Sequence, residues 1–150
     1  MILNPENVYL TTRDGKNISL IEVVSNRDAK IEVAYLSLDR KVIEYKPLEP
    51  ECLKPINKYV YKVTIDGKHL YIDKDSEILT DNGIPVKVAY MIHGIKLMKD
   101  NDEVDIRNID PDKLFGSATL DHIDHTPYNL EAYEIKIKDG YPMINSIFMV

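Results

Sequence analysis

Asp121-His122-Ile123-Asp124-His125 is the stretch of this 150-residue sequence where metal-ligating side chains crowd most tightly. Two histidines three positions apart, flanked by carboxylates, offer the nitrogen and oxygen donors that Zn²⁺ and Mn²⁺ accept. With Asp102, Asp105 or Asp110 completing the shell, a metal-bound water could serve a hydrolase or nuclease. Against this, no further histidine follows at a ligand spacing, and acidic loops collect such residues freely. The competing reading is a solvated or interface loop.

The other reactive side chains form no recognisable machinery. Cys52 is the single cysteine, so no internal disulfide and no thiolate metal cluster can form. Ser76 lies between acidic neighbours with no histidine in sequence reach, which makes a poor nucleophile. His69 and His93 sit in strand and strand-turn contexts and read as structural. No phosphate-cradling glycine loop is present, and no cofactor is expected.

Charge narrows the partners. Lys and Arg total 19 against 25 Asp and Glu, a net charge of −6. The cations are scattered singly, whereas a nucleic-acid surface gathers them to neutralise phosphates. Nucleic acid is therefore disfavoured as the main partner. The longest apolar runs are far short of a bilayer span, and the opening Met1-Ile2-Leu3-Asn4-Pro5 lacks the basic-then-apolar pattern of a signal peptide. These features and the lone thiol point to the cytoplasm, or to a virion if a phage encodes the chain. An acidic inhibitor that binds a basic partner through its carboxylates also fits this charge balance.

The elements that must position these residues read as strands. Alternating β-branched and aromatic segments are joined by Asp14-Gly15, Asp66-Gly67, Asn82-Gly83 and Asp139-Gly140, dipeptides that accept the left-handed backbone of hairpin turns. Asn17 to Val23 reads as a strand, and Ile31–Leu36 pairs with Lys41–Tyr45 across Asp39-Arg40. Thr12-Arg13-Asp14-Gly15-Lys16 and Thr64-Ile65-Asp66-Gly67-Lys68 are close cousins, which suggests either an internal duplication or convergent turn chemistry. Pro47, Pro50 and Pro55 mark a rigid extended connection. No long segment has a 3.6-residue period, so helix content should be low. The best helical turn is Pro111–Phe115, capped by Asp110. From about 99 to 129, acids and breakers suggest a long irregular excursion from a single β domain spanning 1–150.

In order and spacing, these phrases resemble the Hint fold shared by inteins and hedgehog autoprocessing domains. Val8–Val23 resembles the family's first block. Leu70-Tyr71-Ile72-Asp73-Lys74-Asp75-Ser76-Glu77-Ile78-Leu79-Thr80-Asp81-Asn82-Gly83 resembles its second. Lys87–Leu97 resembles the segment that follows, and Ala132–Ile137 with Asn145–Val150 resemble its last blocks. The resemblance implies an all-β fold of interlocked hairpins with at most one or two short helical turns.

The same resemblance implies what the chemistry would need. A Cys or Ser at the first residue attacks the preceding carbonyl, and here the chain opens with Met1. A Thr and a His polarise that peptide, and their places are taken by Asp73 and Ser76. A His-Asn pair closes the family pattern, and this sequence stops at Val150, before that pair. The expectation is a degenerate, non-splicing Hint-like module that binds protein partners, as a component of a phage or a multi-subunit assembly. Its apolar end, Ile147-Phe148-Met149-Val150, is the candidate contact surface, unless the last strand is central and the end is core.

Overall fold

The computed structural model describes residues 1–100 and 115–150, with the side chains of Cys52 and Leu53 also outside the description. The chain opens with β1 (Ile2–Leu3), β2 (Tyr9–Thr11) and β3 (Asn17–Ser19), then the single-turn helix α1 (Leu20–Ser25). Two hairpins follow, β4 (Glu32–Ser37) with β5 (Ile43–Pro47) and β6 (Ile56–Ile65) with β7 (Lys68–Asp73). A short pair, β8 (Glu77–Leu79) and β9 (Pro85–Lys87), precedes β10 (Lys96–Asp100), β11 (Phe115–Glu134), β12 (Gly140–Ile144) and β13 (Ile147–Phe148).

Nine strands join in the order β1-β7-β6-β11-β10-β13-β12-β4-β5. The sheet also curls back on itself, because β1 pairs with both β7 and the end of β11. The main core lies inside this wrap, with Leu3, Leu10, Leu20, Val63, Leu70, Ile72, Ile78, Leu97, Leu120 and Ile135 among its buried residues. A smaller core gathers Ala34, Leu36, Leu79, Met98, Met143 and Phe148. The fold is all-β, as the hairpin spacing predicts.

Turn chemistry carries much of this register. Asp66 (φ 47°) and Gly67 (φ 76°) are both left-handed, the backbone that a two-residue hairpin needs to match strand twist. The carboxylate of Asp66 accepts from the Thr119 amide at 2.9 Å, and that of Asp121 accepts from the Gly67 amide at 2.7 Å, so β11 fastens the turn from outside. The two turns with matching bonds are not the cousins that the letters suggest. At Thr12 and at Thr80, the carbonyl accepts from the glycine three residues on, at 2.9 and 2.8 Å. At both, the hydroxyl also bonds a following side chain and the carbonyl four residues on. Thr64 instead bonds His69 Nδ1 at 2.9 Å.

Two of these hairpin readings need correction. Asn17–Val23 is a strand only to Ser19, and then turns helical. Ser19 Oγ accepts from the Glu22 amide at 3.2 Å, and the i, i+3, i+4 set Leu20, Val23 and Val24 is buried. Asp139-Gly140 does not join two paired strands, because β12 pairs with β4 and β13 instead. Gly140 answers a close approach: a Cβ there would lie 2.1 Å from Cδ2 of Tyr35.

The irregular excursion from about 99 to 129 is largely strand where it is described. Lys99 and Asp100 end β10, and Phe115–Asn129 belongs to one 20-residue strand, β11. Ala118, Leu120 and Ile123 bury against the core, while two register shifts on β6 absorb Asp121 and the segment around Pro127. Of the helical turn expected at 111–115, residues 111–114 lie outside the described residues, and Phe115 starts β11 instead. The proline connection holds a 3-10 turn over Pro50–Leu53, which includes Cys52.

Candidate functional site

The two ends of the chain meet, and the contacts are specific. The Met1 amino group donates to the Val150 carbonyl at 3.0 Å. The Met1–Ile2 peptide is held at both polar atoms. Its carbonyl accepts from the Ile135 amide at 2.7 Å, and its N–H donates to Ser76 Oγ at 2.9 Å. Ser76 is buried and is set by a turn in which its own amide donates to the Asp73 carbonyl at 3.0 Å. On the other side, the Val150 amide donates to the Glu77 carbonyl at 2.9 Å, and Met149 bridges Ile78. The segment Asp73–Ile78 thus clasps both ends of the chain.

The Asp121–His125 cluster is dispersed along β11, each member with its own engagement. Asp121 caps Gly67 through its carboxylate, and its carbonyl meets Nδ1 of His93. His122 lies opposite Thr64 on β6 and is exposed. Asp124 accepts from the Thr126 amide at 2.9 Å and the Tyr128 hydroxyl at 3.0 Å. Those bonds, the Thr126 amide first, hold the Asp124 carboxyl below its usual range, and the same contact raises the Tyr128 phenol. The His125 ring stands edge-on to Tyr61, with centroids 5.4 Å apart. Among the described residues, no three of His, Cys, Asp and Glu converge as a metal shell would need. The strand alternation that β11 imposes, with its bulge at Asp121, is the physical reason. Asp102, Asp105 and Asp110 lie outside the described residues.

No protein-family model matches the sequence, and no curated protein matches it. Solved structures do. A DnaB intein from Synechocystis superposes with a TM-score of 0.68 at 12% identity, covering 99% of this chain and 97% of that one. The DnaX mini intein from Spirulina platensis gives 0.68 at 11% identity, over 99% and 98%. A bacterial intein-like domain from Clostridium thermocellum gives 0.65 at 12% identity, over 95% and 93%. The chain has the Hint fold of inteins.

Within the Hint fold, the correspondence drawn from sequence puts Asp73 and Ser76 in the second block; Ser76 bonds the Ile2 amide, and the Asp73 carbonyl sets Ser76 in place. The apolar end behaves differently from the contact surface considered for it. Ile147, Phe148 and Met149 are 4%, 0% and 0% exposed, and Val150 packs against the smaller core. The reason is position: β13 lies between β10 and β12, so its side chains fill the interior. Sequence reasoning missed the Ile135 amide and the Glu77 carbonyl at the clasp. Backbone groups leave no signature in residue types: the pairing of Ile2 with Glu134 brings the Ile135 amide there, and the bridge from Ile78 to Met149 brings the Glu77 carbonyl. It also missed how deeply Asp73 is buried, since an aspartate ending a strand reads as a turn residue.

Proposed function

We propose that this Hint-fold chain is non-catalytic and works as a structural or protein-interaction module, as part of a phage or multi-subunit assembly. One observation carries the reading: the chemistry available around the Met1–Ile2 peptide. Acyl shift requires a hydroxyl or thiol on the very residue whose nitrogen the acyl group leaves. Here the neighbouring side chains are the thioether of Met1 and the hydrocarbon of Ile2. Ser76 Oγ is nearby, but it accepts from the Ile2 N–H at 2.9 Å and donates toward the Ile2 carbonyl at 3.5 Å, and none of its hydrogen bonds among the described residues is to a histidine that could take its proton. The peptide is pinned as a structural bond.

The interaction part of the reading draws support from exposed apolar side chains. Tyr90, Ile92 and Tyr59 are 75%, 73% and 64% exposed. Large apolar groups held in water often mark contact surfaces. Among the described residues, no helix is long and apolar enough to cross a membrane.

The test is a fusion with one folded reporter domain before Met1 and another after Val150. On this reading the fusion stays a single species through long incubation, with or without added thiol. Cleaved reporters or a ligated reporter pair would overturn it. Crosslinking in the native source, followed by mass spectrometry, then identifies the assembly.

A further inference from the structure

We propose that the cleft beside Asp73 receives the guanidinium of an arginine side chain from a partner protein. The proposal rests on the interaction reading above and gives it a site.

Asp73 ends β7 and is only 5% exposed, yet its carboxylate has no hydrogen-bond or ion-pair partner among the described residues. Only its backbone carbonyl is used, by the Ser76 amide. A carboxylate set this deep, with no protein donor on it, favours any group that supplies positive charge and N–H donors together. Asp73 borders an open cleft of about 510 Å³, within the range of small-ligand sites.

The rest of the cleft selects the ligand's shape. Tyr59 and Tyr61 line it with Pro127. The Tyr61 ring is fixed edge-on by His125, and Tyr59 stands mostly in solvent. Flat aromatic faces beside a carboxylate match a planar cation, which can stack on a ring while forking two N–H groups onto the two oxygens. Field strength cannot drive this recognition. Lys58 and Lys74 line the same cleft as Asp73 and Asp75, which leaves it formally neutral, and neither lysine lies in ion-pair reach of either carboxylate. Affinity must therefore come from directed bonds to Asp73 and from stacking. That favours a guanidinium over a compact ammonium, and excludes a neutral isostere.

The experiment is an amide NMR titration of the full chain with N-acetyl-arginine methylamide, beside its lysine and citrulline counterparts. The expected result is saturable shifts centred on Tyr59, Tyr61, Asp73 and Lys74. Binding of the citrulline compound should be at least tenfold weaker. Asp73→Asn, nearly the same shape, should weaken arginine binding by a similar factor while keeping the spectrum of a folded chain. Tyr59→Ala, at an exposed position, should weaken it several-fold with the carboxylate intact. Unsaturable or scattered shifts, equal binding of citrulline, or full binding by Asp73→Asn would overturn the proposal. No partner enters this titration, so its failure would leave the interaction reading standing. Splicing of the reporter fusion would sink that reading without touching the titration.

Discussion

The Met1 amino group and the Val150 carbonyl lie 3.0 Å apart in a hydrogen bond that brings together the first and last residues of the chain. The segment from Asp73 to Ile78 backs this contact, taking the Ile2 N–H on Ser76 Oγ and the Val150 N–H on the Glu77 carbonyl. That one segment therefore holds both Ile2 and Val150.

Ser76→Ala removes the acceptor of the Ile2 N–H and leaves that donor partly buried. A lost bond of this kind costs about 1–2 kcal/mol. Urea unfolding should show a lowered midpoint with an unchanged slope. Hydrogen exchange should quicken at the Ile2 amide before it quickens in β6. An unchanged Ile2 exchange rate would mean that the hydroxyl is not its partner.

Phe148→Ala distinguishes core from contact surface. Phe148 is fully buried in the smaller core and stacks edge-on against Phe115 at 5.3 Å. Truncation there should cost about 3–5 kcal/mol. Ile92→Ala, at a position 73% exposed, should stay within about 0.5 kcal/mol of the parent. Equal, small effects at both positions would contradict the central placement of β13.

Asp124 should titrate below its ordinary value of 3.8, because the Thr126 amide and the Tyr128 hydroxyl favour its charged form. The sign follows from linkage. A carboxyl with a depressed folded pKa stabilises the fold above its unfolded pKa, and loses that contribution as pH falls through the folded value. Carboxyl-carbon NMR of the folded chain measures the midpoint directly. Tyr128→Phe should move it part of the way back up, and no movement would rule out the phenol as a cause.

Gly140→Ala tests a close approach. The added methyl would meet Cδ2 and Cε2 of Tyr35 at 2.1 and 2.7 Å, and Tyr35 is 3% exposed, so its ring has nowhere to swing. Overpacking of this kind costs about 1–3 kcal/mol. The near-ultraviolet signal should change as Tyr35 loses its 2.7 Å bond to Glu44.

Much of the fold was legible because hairpin turns write themselves into residue types. Asp66-Gly67 and Asn82-Gly83 predict the β6–β7 and β8–β9 pairs, and the order of such phrases is enough to suggest the intein fold. The misreadings have physical causes. Leu20, Val23 and Val24 form a helical stripe of one turn, too short for periodicity to separate from a strand's apolar run. The acids of Phe115–Asn129 look like loop residues, but bulges let a strand carry them outward while Ala118, Leu120 and Ile123 stay in the core. The candidate site was legible only in part. Asp73 and Ser76 stand out only as the places where the resemblance to the Hint fold expects Thr and His, and the backbone groups that complete the clasp do not stand out at all. The histidine-aspartate cluster was conspicuous as letters, yet a strand distributes such neighbours instead of gathering them.

A reporter fusion asks whether the peptide bonds flanking Met1 and Val150 ever break. With a folded domain on each end, the account predicts one intact polypeptide after extended incubation, in the presence or absence of thiol and across neutral pH. Release of either reporter at the Met1 or Val150 junction, or the appearance of the two reporters joined, would contradict it.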